Sequence, residues 1–152
     1  MKNIFVRLTK KTRKIEFASA VLTGAILSTI VNQFVFSFSS LKGNSMFPTL
    51  KNDQKVLILK LGNLFVRKGN IVVAESPNKN KELLLAKRLT AIEGDEVFFH
   101  DKRLKIPKGQ VWIEGDNKDV SYDSRIFGPI FKSKLKGKIV AIIYPLDEVK
   151  LL

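Results

Sequence analysis

Between Glu16 and Lys42 the chain carries no charge: Phe17 to Leu41 reads FASAVLTGAILSTIVNQFVFSFSSL. No other feature narrows the possible folds as much. These 25 residues exceed the roughly 20 mostly apolar residues a helix needs to cross a bilayer. Asn32, Gln33 and several Ser and Thr make the run only moderately apolar. In front of it stand Lys2, Arg7, Lys10, Lys11, Arg13 and Lys14 with no acid among them, the flank that the positive-inside pattern expects of an anchor. A cleaved secretory signal would need a small-residue cutting site after the run, and SFSSLKG (37–43) is a poor one. A buried core helix is the other alternative. The expectation is a basic arm over 1–16, one transmembrane helix over 17–41, and a domain over 42–152.

From Lys42 onward the texture changes. KVLILKLG (55–62), NIVVAES (70–76), ELLLAKRLTAI (82–92), DEVFFH (95–100), QVWIEG (110–115) and KIVAIIYP (138–145) are short apolar runs. Turn residues bound them: Lys68-Gly69-Asn70, Pro77-Asn78, Glu93-Gly94-Asp95, Lys108-Gly109, Gly115-Asp116-Asn117 and Gly128-Pro129. Short strands with such punctuation predict a mostly β domain. There is no internal repeat and no low-complexity tract.

Composition removes several chemistries. The 152 residues include no cysteine and one histidine, His100. Disulfides, thiolate catalysis, Cys-ligated zinc and multi-His metal sites are excluded. No cofactor is expected. The net charge of +13 raises nucleic acid or an anionic membrane surface as partners. Much of the excess lies in the N-terminal arm. Downstream the cations are scattered and few aromatics interleave with them, which argues against nucleic acid.

Three stretches stand out chemically. In KGNSMFPTL (42–50), Gly43 and Asn44 tolerate tight backbone and Pro48 pins the chain beyond. A serine so framed, Ser45, can be held exposed with its N–H aimed at a developing oxyanion; the plain reading is a loop serine. A serine needs a base. His100 reads as a solvated hairpin histidine. Lys87 is the better candidate, because strand alternation puts Leu83, Leu85 and Lys87 on one face, where burial lowers an ammonium pKa. The plain reading there is a surface lysine. In GDNKDVSYDSRIFGP (115–129), Asp123 and Arg125 are spaced to pair along a strand face, and Ser121 and Ser124 supply hydroxyls; the plain reading is a solvated loop.

Taken together and in order, these stretches resemble the type I signal peptidase family of membrane serine proteases. The family pattern places a Ser-Met-x-Pro-Thr box after a transmembrane anchor, here Ser45 to Thr49. A Lys-Arg box closing on Gly-Asp follows, here Lys87-Arg88 with Gly94-Asp95. A Gly-Asp-Asn…Ser-x-Asp-Ser-Arg-x-Phe-Gly-Pro box comes last, here Gly115 to Asn117 and Ser121 to Pro129. The resemblance spans Phe17 to Pro145. It implies Ser45 as nucleophile, Lys87 as neutral general base and Ser121 as the hydroxyl that bonds and orients the amine. It implies an Asp123–Arg125 pair and an Asp116–Arg88 pair as supports. Two positions depart from the pattern. Gly43 stands where some relatives carry a serine that donates to the oxyanion, and Glu93 stands where a proline usually precedes Gly-Asp.

Only 19 residues separate Asp95 from Gly115, where many bacterial relatives insert a second β domain. The compact chain, VWIEGDN and SYDSRIFGPI are most similar to the mitochondrial inner membrane protease branch. The implied activity is removal of signal or sorting peptides from precursor proteins at a membrane. That branch implies a single-pass protein of the mitochondrial inner membrane, its catalytic domain in the intermembrane space, and a second protease subunit as a possible partner. A bacterial-type signal peptidase at the plasma membrane and a non-catalytic, membrane-anchored basic binding module are the alternatives. Self-cleaving repressors also carry a Ser/Lys pair, but they place a DNA-binding helical domain where this chain has an apolar run.

Overall fold

A computed structural model describes residues 16–29, 35–60, 65–77 and 83–152. The basic arm before Glu16 and the middle of the uncharged run, 30–34, lie outside the described residues. The chain divides into two units, Met1–Val35 and Phe36–Leu152.

In the first unit, 16–29 form helix α1. Its hydroxyls are satisfied within the helix: Thr23 Oγ1 donates to the Ser19 carbonyl at 2.8 Å and Thr29 Oγ1 to Ala25 at 2.9 Å. Such back-bonding lets polar residues sit in an apolar helix without unpaired groups. The expected single helix over 17–41 is corrected in its extent. Phe36–Ser40 is strand β1, because Phe-Ser-Phe-Ser alternates with the period of a strand and pairs along β2 from Phe36↔Leu59 to Ser40↔Lys55. Among the described residues no helix is long and apolar enough to cross a membrane.

The second unit is mostly β. Its strands are β1, β2 (Lys55–Leu59), β3 (Ile71–Glu75), β4 (Leu84–Ile92), β5 (Glu96–Phe99), β6 (Lys102–Lys105), β7 (Gln110–Glu114), β8 (Ile130–Phe131), β9 (Leu135–Tyr144) and β10 (Lys150–Leu151). One antiparallel sheet runs β1-β2-β9-β3-β4-β7-β8, with β10 on β9, and β5–β6 forms a separate hairpin. A four-residue helix α2, Ser124–Phe127, precedes β8. All six apolar runs read from the sequence contain strands. β6, as KRLK, gives no apolar signal; only Leu104 turns inward, joining Val97 and Phe99 against Ala91, Ile106 and Trp112.

Two larger clusters build the core. Met46, Leu50, Val56, Ile58, Val73 and Ile139 lie in one, and Val72, Leu89, Val111, Ile113 and Leu135 in the other. Ile113 and Leu89 are cross-strand partners, and truncating either to Ala is expected to cost about 2–5 kcal/mol.

Register positions the site. β3 pairs β4 from Ile71↔Arg88 to Glu75↔Leu84. β7 pairs β4 only from Arg88↔Glu114 to Ile92↔Val111. Leu84 to Lys87 therefore keep one free edge among the described residues, and β1, bonded only to β2, keeps another.

Candidate active site

β4 alternates as the sequence predicts, with Leu85, Lys87, Leu89 and Ala91 inward. Lys87 is thus a cation on a hydrophobic face, 2% exposed. Burial pushes its pKa below the ordinary lysine value; Asp123 pulls the other way and Arg125 adds to the lowering. Among the described residues the amine is in no ion pair. It bonds instead to Ser45 Oγ at 2.6 Å, across 42 residues of sequence.

Ser45 sits in the turn that follows β1. The Asn117 N–H donates to the Ser45 carbonyl at 3.0 Å, so the third box holds the first. The Ser45 N–H itself donates to no group among the described residues. Met46 is buried in the core, whereas Phe47 is 49% exposed. A cleft of about 410 Å³ opens at Ser45 and Lys87, walled by Met46, Val73 and Leu85 and reaching Ser40 on β1 and Leu84 on β4.

The turn at Gly115 makes this meeting possible. A Cβ there would lie 2.1 Å from Ser121 Oγ and 2.4 Å from the Ser45 carbonyl oxygen. No side chain fits, and the sequence reading, which took Gly115 only as turn chemistry, missed this contact.

Both expected ion pairs form. Arg88 grips Asp116 with two bonds, Nε to Oδ1 at 2.8 Å and Nη2 to Oδ2 at 2.6 Å, and gives Nη1 to the Gly69 carbonyl at 2.7 Å. That grip, with help from the Thr49 hydroxyl, holds the Asp116 carboxyl below the usual range. Arg125 binds Asp123 through Nε at 2.9 Å and Nη2 at 2.7 Å. The geometry of this second pair corrects the sequence expectation. The two do not share a strand face: Asp123 is the N-cap of α2 and also accepts the Arg125 N–H. The cause is local, since an Asp entering a helical turn satisfies free N–H groups. Asp123 Oδ2 further accepts the Gly115 N–H at 2.8 Å, and Ser124 Oγ accepts the Ile113 N–H at 3.0 Å. These two side chains occupy the edge of β7 where a further strand would bond.

Ser121 is also brought here, but its expected bond to the lysine amine is not present. Its hydroxyl is buried without a hydrogen bond of good geometry, although it stands close enough to Asp123 to contribute to that carboxyl's low pKa. His100 lies in the β5–β6 turn at φ +47°, against the Phe99 ring, as read from the sequence. The departure at Glu93 leaves a tight turn: Asp95 N–H meets the Ile92 carbonyl at 3.0 Å, and the Glu93 carboxylate accepts the Gly109 N–H at 2.9 Å. Among the described residues no cluster suits a metal ion.

Residues 14–107 and 100–144 match the family described as signal peptidase, peptidase S26. The chain belongs to that family. The mitochondrial inner membrane protease subunit 1 of Xenopus tropicalis is 38% identical over 114 residues, covering 70% of this chain and 68% of that protein. Subunit 2 of Schizosaccharomyces pombe is 32% identical over 127 residues, 78% of this chain and 70% of that one. A signal peptidase I from Enterococcus faecalis aligns over 48% of this chain and 95% of its own, at 20% identity and TM-score 0.42. Family membership makes a protease of the signal peptidase type the coarse assignment. Lys87, Ser45 and Ser121 fall inside the matched segments.

Proposed function

We propose that this chain is a membrane-attached serine endopeptidase that removes signal or sorting peptides from precursors, with Ser45 as nucleophile and Lys87 as general base. The observation that carries it is the 2.6 Å bond between Lys87 Nζ and Ser45 Oγ around an amine that burial keeps toward the neutral form. A neutral amine at that distance takes the hydroxyl proton as Oγ attacks the scissile carbonyl. The Ser45 N–H stabilises the oxyanion. The resulting ammonium returns the proton to the leaving amine as the C–N bond breaks. Lys87 then deprotonates a water, whose oxygen attacks the ester, and the ammonium returns that proton to Ser45 Oγ as the ester C–O bond breaks. Ser121 takes up the amine by hydrogen bond when acylation removes the Ser45 partner. Arg88, Asp116, Asp123 and Arg125 hold the two loops around this pair.

The substrate enters extended. The free edges of β1 and of Leu84–Lys87 face a cleft with apolar walls, a setting for strand addition in which main-chain bonds give affinity and alternate side chains give specificity. The uncharged segment before β1 and the basic arm attach the chain to membrane lipid, in the inner mitochondrial membrane by analogy with the relatives, and a second protease subunit is the expected partner.

The test is cleavage of a detergent-solubilised precursor by the purified full chain, from pH 6 to 10. Wild type cuts; Ser45→Ala and Lys87→Ala lose at least about a thousandfold in kcat. The acidic limb of the wild-type profile falls below the ordinary lysine range. Activity retained by Lys87→Ala would overturn the assignment of the base, and salt-sensitive binding without proteolysis would favour a basic binding module.

A further inference from the structure

The loop carrying Ser45 is clamped from a side that the proposed chemistry does not use. Met46 to Leu50 closes a helical turn, Leu50 N–H donating to the Met46 carbonyl at 2.9 Å. Gln54 follows, a polar side chain 3% exposed. Its Oε1 accepts the Lys51 N–H at 2.9 Å, and its backbone carbonyl accepts the Leu41 N–H at 2.9 Å. Residue 54 thereby joins the two ends of the loop. Gly43 N–H adds a bond to Asn52 Oδ1 at 2.8 Å.

The remaining polar group of Gln54, its Nε2, is satisfied from far along the chain. Glu148, in the 3-10 turn Leu146–Glu148, accepts Gln54 Nε2 on one oxygen and Lys51 Nζ on the other. A buried amide left without a partner is costly, so Glu148 fixes the orientation of the Gln54 amide and, through its Oε1, the backbone N–H of Lys51. On the opposite side the Asn117 N–H holds the Ser45 carbonyl.

We propose that Glu148 is a positioning residue: it braces the Ser45 loop through Gln54 and Lys51 and so sets Ser45 Oγ against Lys87 Nζ. The proposal rests on the Ser/Lys reading for its catalytic consequence, but not for the brace itself. Hydroxyl and amine must stay within hydrogen-bond reach for proton transfer, and a nucleophile displaced by a fraction of an ångström loses rate without losing substrate affinity.

The experiment uses the full chain in detergent, as wild type, Glu148→Gln, Gln54→Leu and the double variant. Two readouts are taken: kcat and KM on a membrane precursor, and amide hydrogen exchange across 41–54 against β3 and β4. Glu148→Gln is expected to lower kcat about tenfold with KM held within about twofold. Exchange should quicken at Leu50 and Lys51 while β3 and β4 stay protected. The double variant should lose less than the two single losses combined, because the singles share the Gln54–Glu148 contact, and should exceed Gln54→Leu only by what the Lys51–Glu148 pair adds. Unchanged exchange overturns the brace. Faster exchange with full kcat overturns its catalytic meaning, and loss of protection across the whole sheet shows a general folding role instead. If wild type is as inert as Ser45→Ala, the Ser/Lys reading is what fails, and the exchange data still decide the brace.

Discussion

Asp123 and Glu75 are two carboxylates with pKa values held to about 2, in opposite surroundings. Asp123 has a side chain fully buried within the third box, whereas that of Glu75 is 33% exposed at the end of β3. For Asp123 the largest influence is burial, which raises the pKa; Arg125, the Gly115 N–H, Ser121 and the Arg125 N–H together outweigh it. For Glu75 the bonds from Lys134 and then Lys136 lower it, and burial, a smaller influence than either bond, opposes them. The same acidity therefore describes a structural joint in one place and a solvated surface cluster in the other. What separates them is how much stranded charge remains when a partner is removed.

The largest expected effect is at Asp123. Asp123→Ala leaves Arg125 without its carboxylate and the Gly115 N–H unpaired, and should cost about 3–5 kcal/mol in a urea melt. A cost as small as that of Glu75→Gln would erase the contrast. The pH dependence sharpens it. The folded pKa of about 2 lies below the unfolded value near ~3.9. The Asp123 contribution is then complete above about pH 4, on the order of 2 kcal/mol, and is lost as pH falls through about 2. Stability of Asp123→Asn should fall less steeply than wild type in that window.

Next comes Asp116→Ala at the half-buried Arg88 pair, with an expected cost of about 1–3 kcal/mol and reduced kcat, since Arg88 neighbours Lys87. Lys87→Met has the opposite sign. A buried lysine with lowered pKa binds fewer protons folded than unfolded, so its penalty shrinks as pH rises toward the ordinary lysine value. Replacing it should abolish cleavage and raise the melting temperature at neutral pH, more at pH 6 than at pH 9. Smallest is Glu75→Gln. Any shift in melting temperature it causes should vanish in about 1 M salt, where the Debye length is roughly 3 Å.

Legibility in the sequence followed the range of the forces involved. β4 was readable because Leu85, Lys87, Leu89 and Ala91 alternate with Ala86, Arg88 and Thr90, a local pattern. β1 was hidden because Phe36 to Ser40 extends an uncharged run, so hydropathy masked a period of two that only pairing with β2 makes decisive. Asp123 and Arg125 were correctly paired but wrongly placed. An Asp followed by Ser-Arg-Ile-Phe also fits an N-cap, and that signal was available. Gly115 reads only as a turn residue and Gln54 gives no signal, because their importance lies in neighbours from other parts of the chain.

The sequence by itself determined the order of the three boxes, the turns between strands and the inward face on which Lys87 lies, because these depend on residues a few positions apart. Tertiary structure decided that Lys87 meets Ser45, that Gly115 leaves room for them, and that the amine pairs with no carboxylate among the described residues. A pKa is set by which groups exclude water and which charges stand nearby. Here those groups come from β4, the Ser45 loop and the third box, and only the folded sheet brings them together.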